Sequence, residues 1–463
     1  MLVVKLPGGV HMGINSCWCR GWGGPLLLLS ALALVPGCGQ QASDPIFVPN
    51  GSSPSDAALA PVAPAAPTPA ALREQFLDDT PQQPLCGDAL LGADFSLDDS
   101  GLPTVYVDAA TETLAQDGSA VAPFRRLASA LFVDDDASSD AEPTLAPQRR
   151  VLVASGYYDE DVAVPVGTLL FGGYDAETWE QGAAPSVISG SVYLGTATAP
   201  AGIVSPDGYL VQDTVANPLP SVAPLSALRH FTVDGGVEVV SGARALLRDN
   251  VIAPVFFSTM GDPPDMRRAM AVWVRVATVR ADHNRLVVPA NDPASIVSSG
   301  FFTWESCALI TENDIADYRS PIYFHEGLDA AATFNVIRRG QNGVGAGGNQ
   351  ALIAGNSIHT LMPTPGCVYA IHMHTDAHPD IRDNTIYLTD MGNRGILEED
   401  RVSHPTALLG NRFYSPQSSP ALYIDHRGAV DPELITSIGA LNAIAGIPAI
   451  GGNTFARSAA TPQ

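Results

Sequence analysis

His372, His374 and His378 alternate with other residues around Asp376, in the run His372-Met373-His374-Thr375-Asp376-Ala377-His378. On a strand, alternate residues share a face about 7 Å apart, and imidazole with carboxylate is a zinc donor set. Four groups on one straight strand cannot converge to the roughly 2 Å that zinc ligands require, so the run reads as a polar face and no metal is expected. Glu399 and Asp425 fall at one outward position of successive repeats. Carboxyls one strand spacing apart, about 4.8 Å, approach the roughly 5–5.5 Å of a retaining glycosidase pair, and their repulsion raises one of the two pKa values. With His374 beside them they form a candidate catalytic set; in an acid-rich chain, a plain ladder of surface acids accounts for the same residues. Asp134, Asp135, Asp136, Asp140 and Glu142 offer oxygens of the kind calcium uses, without the spacing or glycine of an EF-hand. They read as a solvated loop, calcium being the alternative, and no cofactor is otherwise expected.

Other chemistries are excluded by composition. Lys5 is the single lysine, so a Walker-type phosphate loop and Schiff-base catalysis have no amine to use. Acids outnumber bases 48 to 24 for a net charge of −24, the wrong sign for a nucleic-acid partner. No nucleophile elbow, Cys-x-x-Cys pair or dinucleotide fingerprint is present.

The elements that must position these groups follow from an internal repeat. Asn250, Asn284, Asn313, Asn335, Asn356, Asn384, Asn411 and Asn453 are spaced 34, 29, 22, 21, 28, 27 and 42 apart, each followed two residues later by an apolar side chain. A period in the twenties without helical periodicity is the coil of a parallel β-solenoid. Asparagine suits its corner because it tolerates left-handed backbone, and amides stacked from coil to coil form a hydrogen-bonded ladder. These asparagines are therefore structural.

A second strand precedes each asparagine, with Val237, Val272, Phe301, Ile322, Val344, Ile371 and Ile396 pointing inward and Leu422 opening the last coil. Period-two alternation then gives two outward columns. One runs Glu238, Trp273, Phe302, Tyr323, Gly345, His372, Leu397, Tyr423; the other runs Val240, Arg275, Trp304, His325, Gly347, His374, Glu399, Asp425. The glycine-rich coil Gly343–Gly348 marks a dent in this face. A slip of one residue would turn every ring inward.

The head of the folded part carries Pro123-Phe124-Arg125, Gly156-Tyr157-Tyr158-Asp159-Glu160 and Gly172-Gly173-Tyr174-Asp175 followed by Trp179. These motifs resemble the entrance of secreted bacterial right-handed parallel β-helix proteins of the DUF1565-like, pectate-lyase-like class. The resemblance implies an all-β, right-handed parallel β-helix over residues 101–463 with a helical N-terminal cap, and export. It implies no reaction, since the fold hosts lyases, hydrolases, adhesins and inert stalks. Lyases of this fold use a basic residue to abstract the proton; lysine is absent there, and Arg275 is several coils from the acids. Pro432–Gly446 reads as a helical turn covering the far end.

Upstream, Leu26–Val35 is a ten-residue run interrupted only by Ser30 and otherwise apolar, preceded by Lys5 and Arg20 and by no acid, as in a signal peptide over 1–37. Translation from Met12 gives a tidier leader. Val35-Pro36-Gly37-Cys38 resembles a bacterial lipobox with Pro36 as a departure, implying acylation of Cys38; ordinary signal cleavage is the alternative. Gly39 implies sorting to the outer membrane, facing the periplasm or the cell surface. Residues 38–100 hold this cysteine and an Ala/Pro/Ser-rich tether. Cys86, Cys307 and Cys367 remain, an odd number, and the coil registration sets Cys307 and Cys367 about 14 Å apart, too far for a disulfide.

The sequence thus favours a non-catalytic surface lipoprotein binding polysaccharide through Trp273, Phe302, Trp304, Tyr323, His325, His372, His374 and Tyr423. The alternatives are a polysaccharide hydrolase or lyase using Glu399, Asp425 and His374, and a structural spacer or adhesin.

Overall fold

A computed structural model describes residues 2–5, 11–14, 101–133, 144–145, 148–182, 184–196, 224–240, 242–257, 268–288, 297–326, 329–340, 342–360, 368–389, 393–426 and 432–457. Cys38, most of the leader, the tether and the acidic run Asp134–Glu142 lie outside these residues. Met1–Ala65 and Ala66–Gln463 are separate units; in the first, Leu2–Lys5 pairs antiparallel with His11–Ile14. No described helix is long and apolar enough to cross a membrane.

The second unit is all-β. Its chain visits three long sheets in turn, and within each sheet the strands are almost all parallel. The first sheet runs from Thr104–Val107 to Ala449–Gly451, the second from Gly156–Tyr158 to Thr454–Arg457, and the third from Val162–Pro165 to Glu433–Ile435. One coil is Cys307–Thr311, Asp314–Ala316 and Ser320–His325, and each strand pairs with its counterpart one coil on. This is the arrangement of a parallel β-helix. The interior is one apolar column, in which Val272, Phe301, Ile322, Val344, Ile371 and Ile396 are fully buried.

The asparagine ladder is present as expected. From Asn250 to Asn411 each side-chain amide donates to the next coil's Oδ1 at 2.9–3.0 Å, and Asn411 reaches Asn453 at 3.0 Å. Each amide also donates to a carbonyl of the first sheet, as Asn335 does to Ile310 at 2.8 Å. The left-handed backbone, however, falls on the residue before each asparagine, as at Asp249, His283, Glu312, Phe334 and Asp383. The asparagine is held there by its amide, and its neighbour absorbs the bend.

At the head, the Leu127–Leu131 helix buries Leu127, Ala130 and Leu131 in the core. Glu160 supplies its N-terminal cap, accepting from the Leu127 and Ala128 amides at 2.8 and 3.1 Å. Tyr158, in the same motif, donates to the Ala154 carbonyl at 2.9 Å. At the far end the expected helix over Pro432–Gly446 is one turn, Ile438–Leu441; Glu433–Ile435 instead pairs antiparallel with Ala421–Asp425. Leu441, Ile444 and Ile447 do join the core.

Candidate functional site

The outward face of the third sheet carries the candidate residues, and the register matches the sequence reading over seven coils. Glu238 pairs with Trp273, Trp273 with Phe302, Phe302 with Tyr323, Tyr323 with Gly345, Gly345 with His372 and His372 with Leu397. Beside them, Arg275, Trp304, His325, Gly347 and His374 form the second column. Each strand bends just before its inward anchor, where a small or cyclic residue is buried in the wall: Ala271, Gly300, Pro321, Gly343, Ala370 and Gly395. At Gly395 a β-carbon would lie 2.3 Å from the Leu422 carbonyl oxygen, so the coils approach too closely there for a side chain.

The side chains stack on one another and are half-buried. Phe302 and Tyr323 lie 5.5 Å apart at 18°, Trp304 meets His325 edge-on at 5.5 Å, and the Arg275 guanidinium sits 5.9 Å from the Trp273 ring centre. The expected dent is filled. Tyr323 and His374, on coils either side of the glycine coil, meet across it with rings 5.7 Å apart and Oη to Nε2 at 2.5 Å. A β-carbon at Gly345 would lie 2.4 Å from the Tyr323 ring and one at Gly347 2.6 Å from His374, so this contact exists because those two positions are bare.

Two hydrogen-bonded pairs result. His374 Nδ1 lies 2.7 Å from the Thr375 hydroxyl, and His372 Nε2 lies 2.7 Å from Glu399 Oε2. Burial, aided by the His372 charge, pushes His374 down to about 4, so its imidazole is neutral at pH 7. A neutral ring satisfies both contacts, Nε2 accepting from Tyr323 and Nδ1–H donating to Thr375. Burial also raises the Tyr323 phenol. For Glu399, burial alone would raise the carboxyl, but the hydrogen bond and charge of His372, with His374, hold it below its ordinary range. Burial lowers His325 as well, and among the described residues nothing reaches its Nδ1.

Three expected placements need correction. Tyr423 is fully buried: it pairs with Ile396, not Leu397, and donates its hydroxyl to the buried Glu398 carboxylate. Ile424 takes the outward place. The expected anchor Leu422 is level with the wall position Gly395 instead, so the last coil runs one residue out of the expected register. By the same slip Asp425 is not level with Glu399; it faces Glu433, and the carboxylate pair is not assembled. His378 also leaves the face. Thr375 and Asp376 are left-handed and turn the chain, so His378 contacts Asp376 at 3.0 Å and the His404 carbonyl at 3.1 Å. Among the described residues no three His, Cys, Asp or Glu side chains are placed to hold a metal ion.

Sequence reasoning missed Tyr369 and Asp400. Tyr369 stacks on His372 at 5.9 Å with the Arg394 guanidinium 5.9 Å from its ring. It escaped because Ala370 and Ile371 are both buried, which breaks the period-two count back from His372. Asp400 accepts from the Thr375, Val402 and Ser403 amides and so fixes the turn that carries His374. No protein-family model, curated protein or solved structure matches the chain.

Proposed function

We propose that the chain is an exported lipoprotein, acylated at Cys38 and held at the outer membrane, that binds polysaccharide without transforming it. Its β-helix is right-handed, of the DUF1565-like, pectate-lyase-like kind, and the Leu127–Leu131 helix closes its head. The observation that carries the reading is the line Trp273, Phe302, Tyr323 with Trp304 and His325 alongside, all directed away from the core. Large rings normally bury, and a row of them on the outside of a wall needs a reason such as stacking on sugar faces. The adjoining histidines and Arg275 supply hydrogen-bond donors and acceptors for hydroxyls. A spacer needs no such row. Screening residues 39–463 on a glycan array tests the reading: acidic or neutral polysaccharides retained by the wild type are expected, and no binder across the array contradicts it.

A second reading, a polysaccharide hydrolase or lyase, draws on the Tyr323–His374 and His372–Glu399 pairs, whose imidazole rings lie 5.2 Å apart. A neutral histidine bonded to a tyrosine hydroxyl beside a histidine–carboxylate pair is able to take and return protons. Asp425 has no part in it. Product analysis on any retained glycan distinguishes the two: shortened or unsaturated chains support the enzyme, intact chains the binder.

A further inference from the structure

The outward side of the first sheet is buried, and one of the residues in it is disulfide-bonded. In that sheet Leu152, Leu169, Phe171, Ala227, Leu246, Cys307 and Leu309 alternate with core residues and so point away from the interior, yet all are buried. Leu246 is 0% exposed and Cys307 3%. Outward apolar groups become this inaccessible only beneath another layer. Cys307 is disulfide-bonded, and every other cysteine of the chain lies outside the described residues.

The register excludes Cys367 as the partner. Tyr369 is level with Asn342, and hence three coils below Ser299 in the third sheet. From Ser299 the strand runs to Trp304, about 17 Å of extended chain, before the turn to Cys307, and Tyr369 lies about 14 Å down the stack. Cys367 precedes Tyr369 by two residues and recovers at most about 7.6 Å of that roughly 22 Å separation. Bridged Cα atoms sit within about 7 Å. On the reading proposed above, Cys17 and Cys19 leave with the leader and Cys38 carries the lipid, which leaves Cys86.

We propose that Cys86 is the partner of Cys307, and that the segment Leu85–Leu97 lies across the outer apolar row of the first sheet. Its sequence, LCGDALLGADFSL, is the apolar stretch of an otherwise Ala/Pro/Ser-rich region. The reach is sufficient. Fifteen residues from Cys86 to Gly101 span up to about 50 Å, whereas the six strand steps from Thr104–Val107 to Cys307–Thr311 cover about 29 Å. The bond forms by oxidation of two thiols, with two electrons and two protons passing to a disulfide-bearing oxidant met on export. The tether then leaves the solenoid at mid-body instead of at its head, and the first sheet is closed to other partners while the third stays open.

Non-reducing peptide mapping of the full chain tests this. A linked Cys86–Cys307 peptide is expected; Cys307 joined to Cys367 or to any leader cysteine overturns the proposal. In Cys86→Ser, alkylation of Cys307 and at least about tenfold faster proteolysis within residues 66–100 are expected, with glycan retention unchanged. If the Cys86–Cys307 peptide is found but proteolysis of the variant is no faster, the segment is tied without being docked, and that half of the proposal fails.

Discussion

At the corner between the first and second sheets, eight coils place the same residue, asparagine, from Asn250 to Asn453. On the outward face of the third sheet, the coils in between place Glu238, Trp273, Phe302, Tyr323, Gly345, His372 and Leu397 in one column. The corner repeats because each buried amide must satisfy its neighbour's oxygen and a backbone carbonyl at once, and only one side chain has that shape and donor set. The face varies because a side chain pointing away from the core is not constrained by it. Where outward positions nonetheless hold large rings, stacked coil upon coil, the fold itself does not require them.

The largest effect expected from breaking this contrast lies at the corner. Asn335→Ala strands the donors and acceptors of Asn313, Ile310 and Asn356 inside the wall. It should cost about 2–4 kcal/mol in chemical denaturation, since each unsatisfied buried group costs about 1–3 kcal/mol. A cost near zero would mean that the ladder is ornamental. Next is Gly347→Ala, whose new methyl collides with His374. About 1–3 kcal/mol of strain is expected, together with loss of the Tyr323–His374 contact, seen as a changed His374 titration by NMR.

Smaller effects come from titration. Burial, partly offset by Arg275, raises the Glu238 carboxyl from 4.5 to about 7. Its folded pKa exceeds its unfolded one, so its contribution is present below about pH 4.5 and is lost as pH rises through about 7. Glu238→Gln should therefore match the wild type at pH 4 and melt about 2–4 °C higher at pH 8. A variant less stable at pH 8 would show instead that Glu238 is an ionised partner of Arg275. His374 has the opposite sign: its folded pKa is depressed, so its contribution is complete above about 6.5 and declines as pH falls towards about 4. Calorimetry of the wild type and His374→Gln between pH 7 and pH 4 should converge, and parallel curves would contradict the assignment.

What could be read from the residues divides along the same line. The ladder, the inward anchors and the two outward columns were legible because stacked coils force a constant register, and one coil's alternation predicts the next. Tyr423 and Asp425 were misplaced because Leu422 was counted as the inward anchor, whereas it stands at the wall position of Gly395 and Tyr423 is level with the anchor Ile396. Tyr369 was hidden by the bend at Ala370–Ile371, where two consecutive residues are buried. The Tyr323–His374 contact spans 51 residues and two coils. It depends on two glycines whose role is to be absent, and the sequence signalled the gap without its occupants. The buried outer row of the first sheet alternates as any strand does, so nothing in the residues distinguished a covered face from an open one.

The most direct measurement pairs glycan affinity with stability in Trp304→Ala. Trp304 meets His325 at its edge and stands on the outward column, so its removal should leave stability within about 1 kcal/mol of the wild type. Loss of one stacked ring, at about 0.5–1.5 kcal/mol, should weaken binding up to about tenfold towards any glycan the wild type retains. Weakened binding at unchanged stability is the result expected of a polysaccharide-binding face. Unchanged binding with a large loss of stability would place Trp304 in the packing of the wall and leave a spacer as the better description.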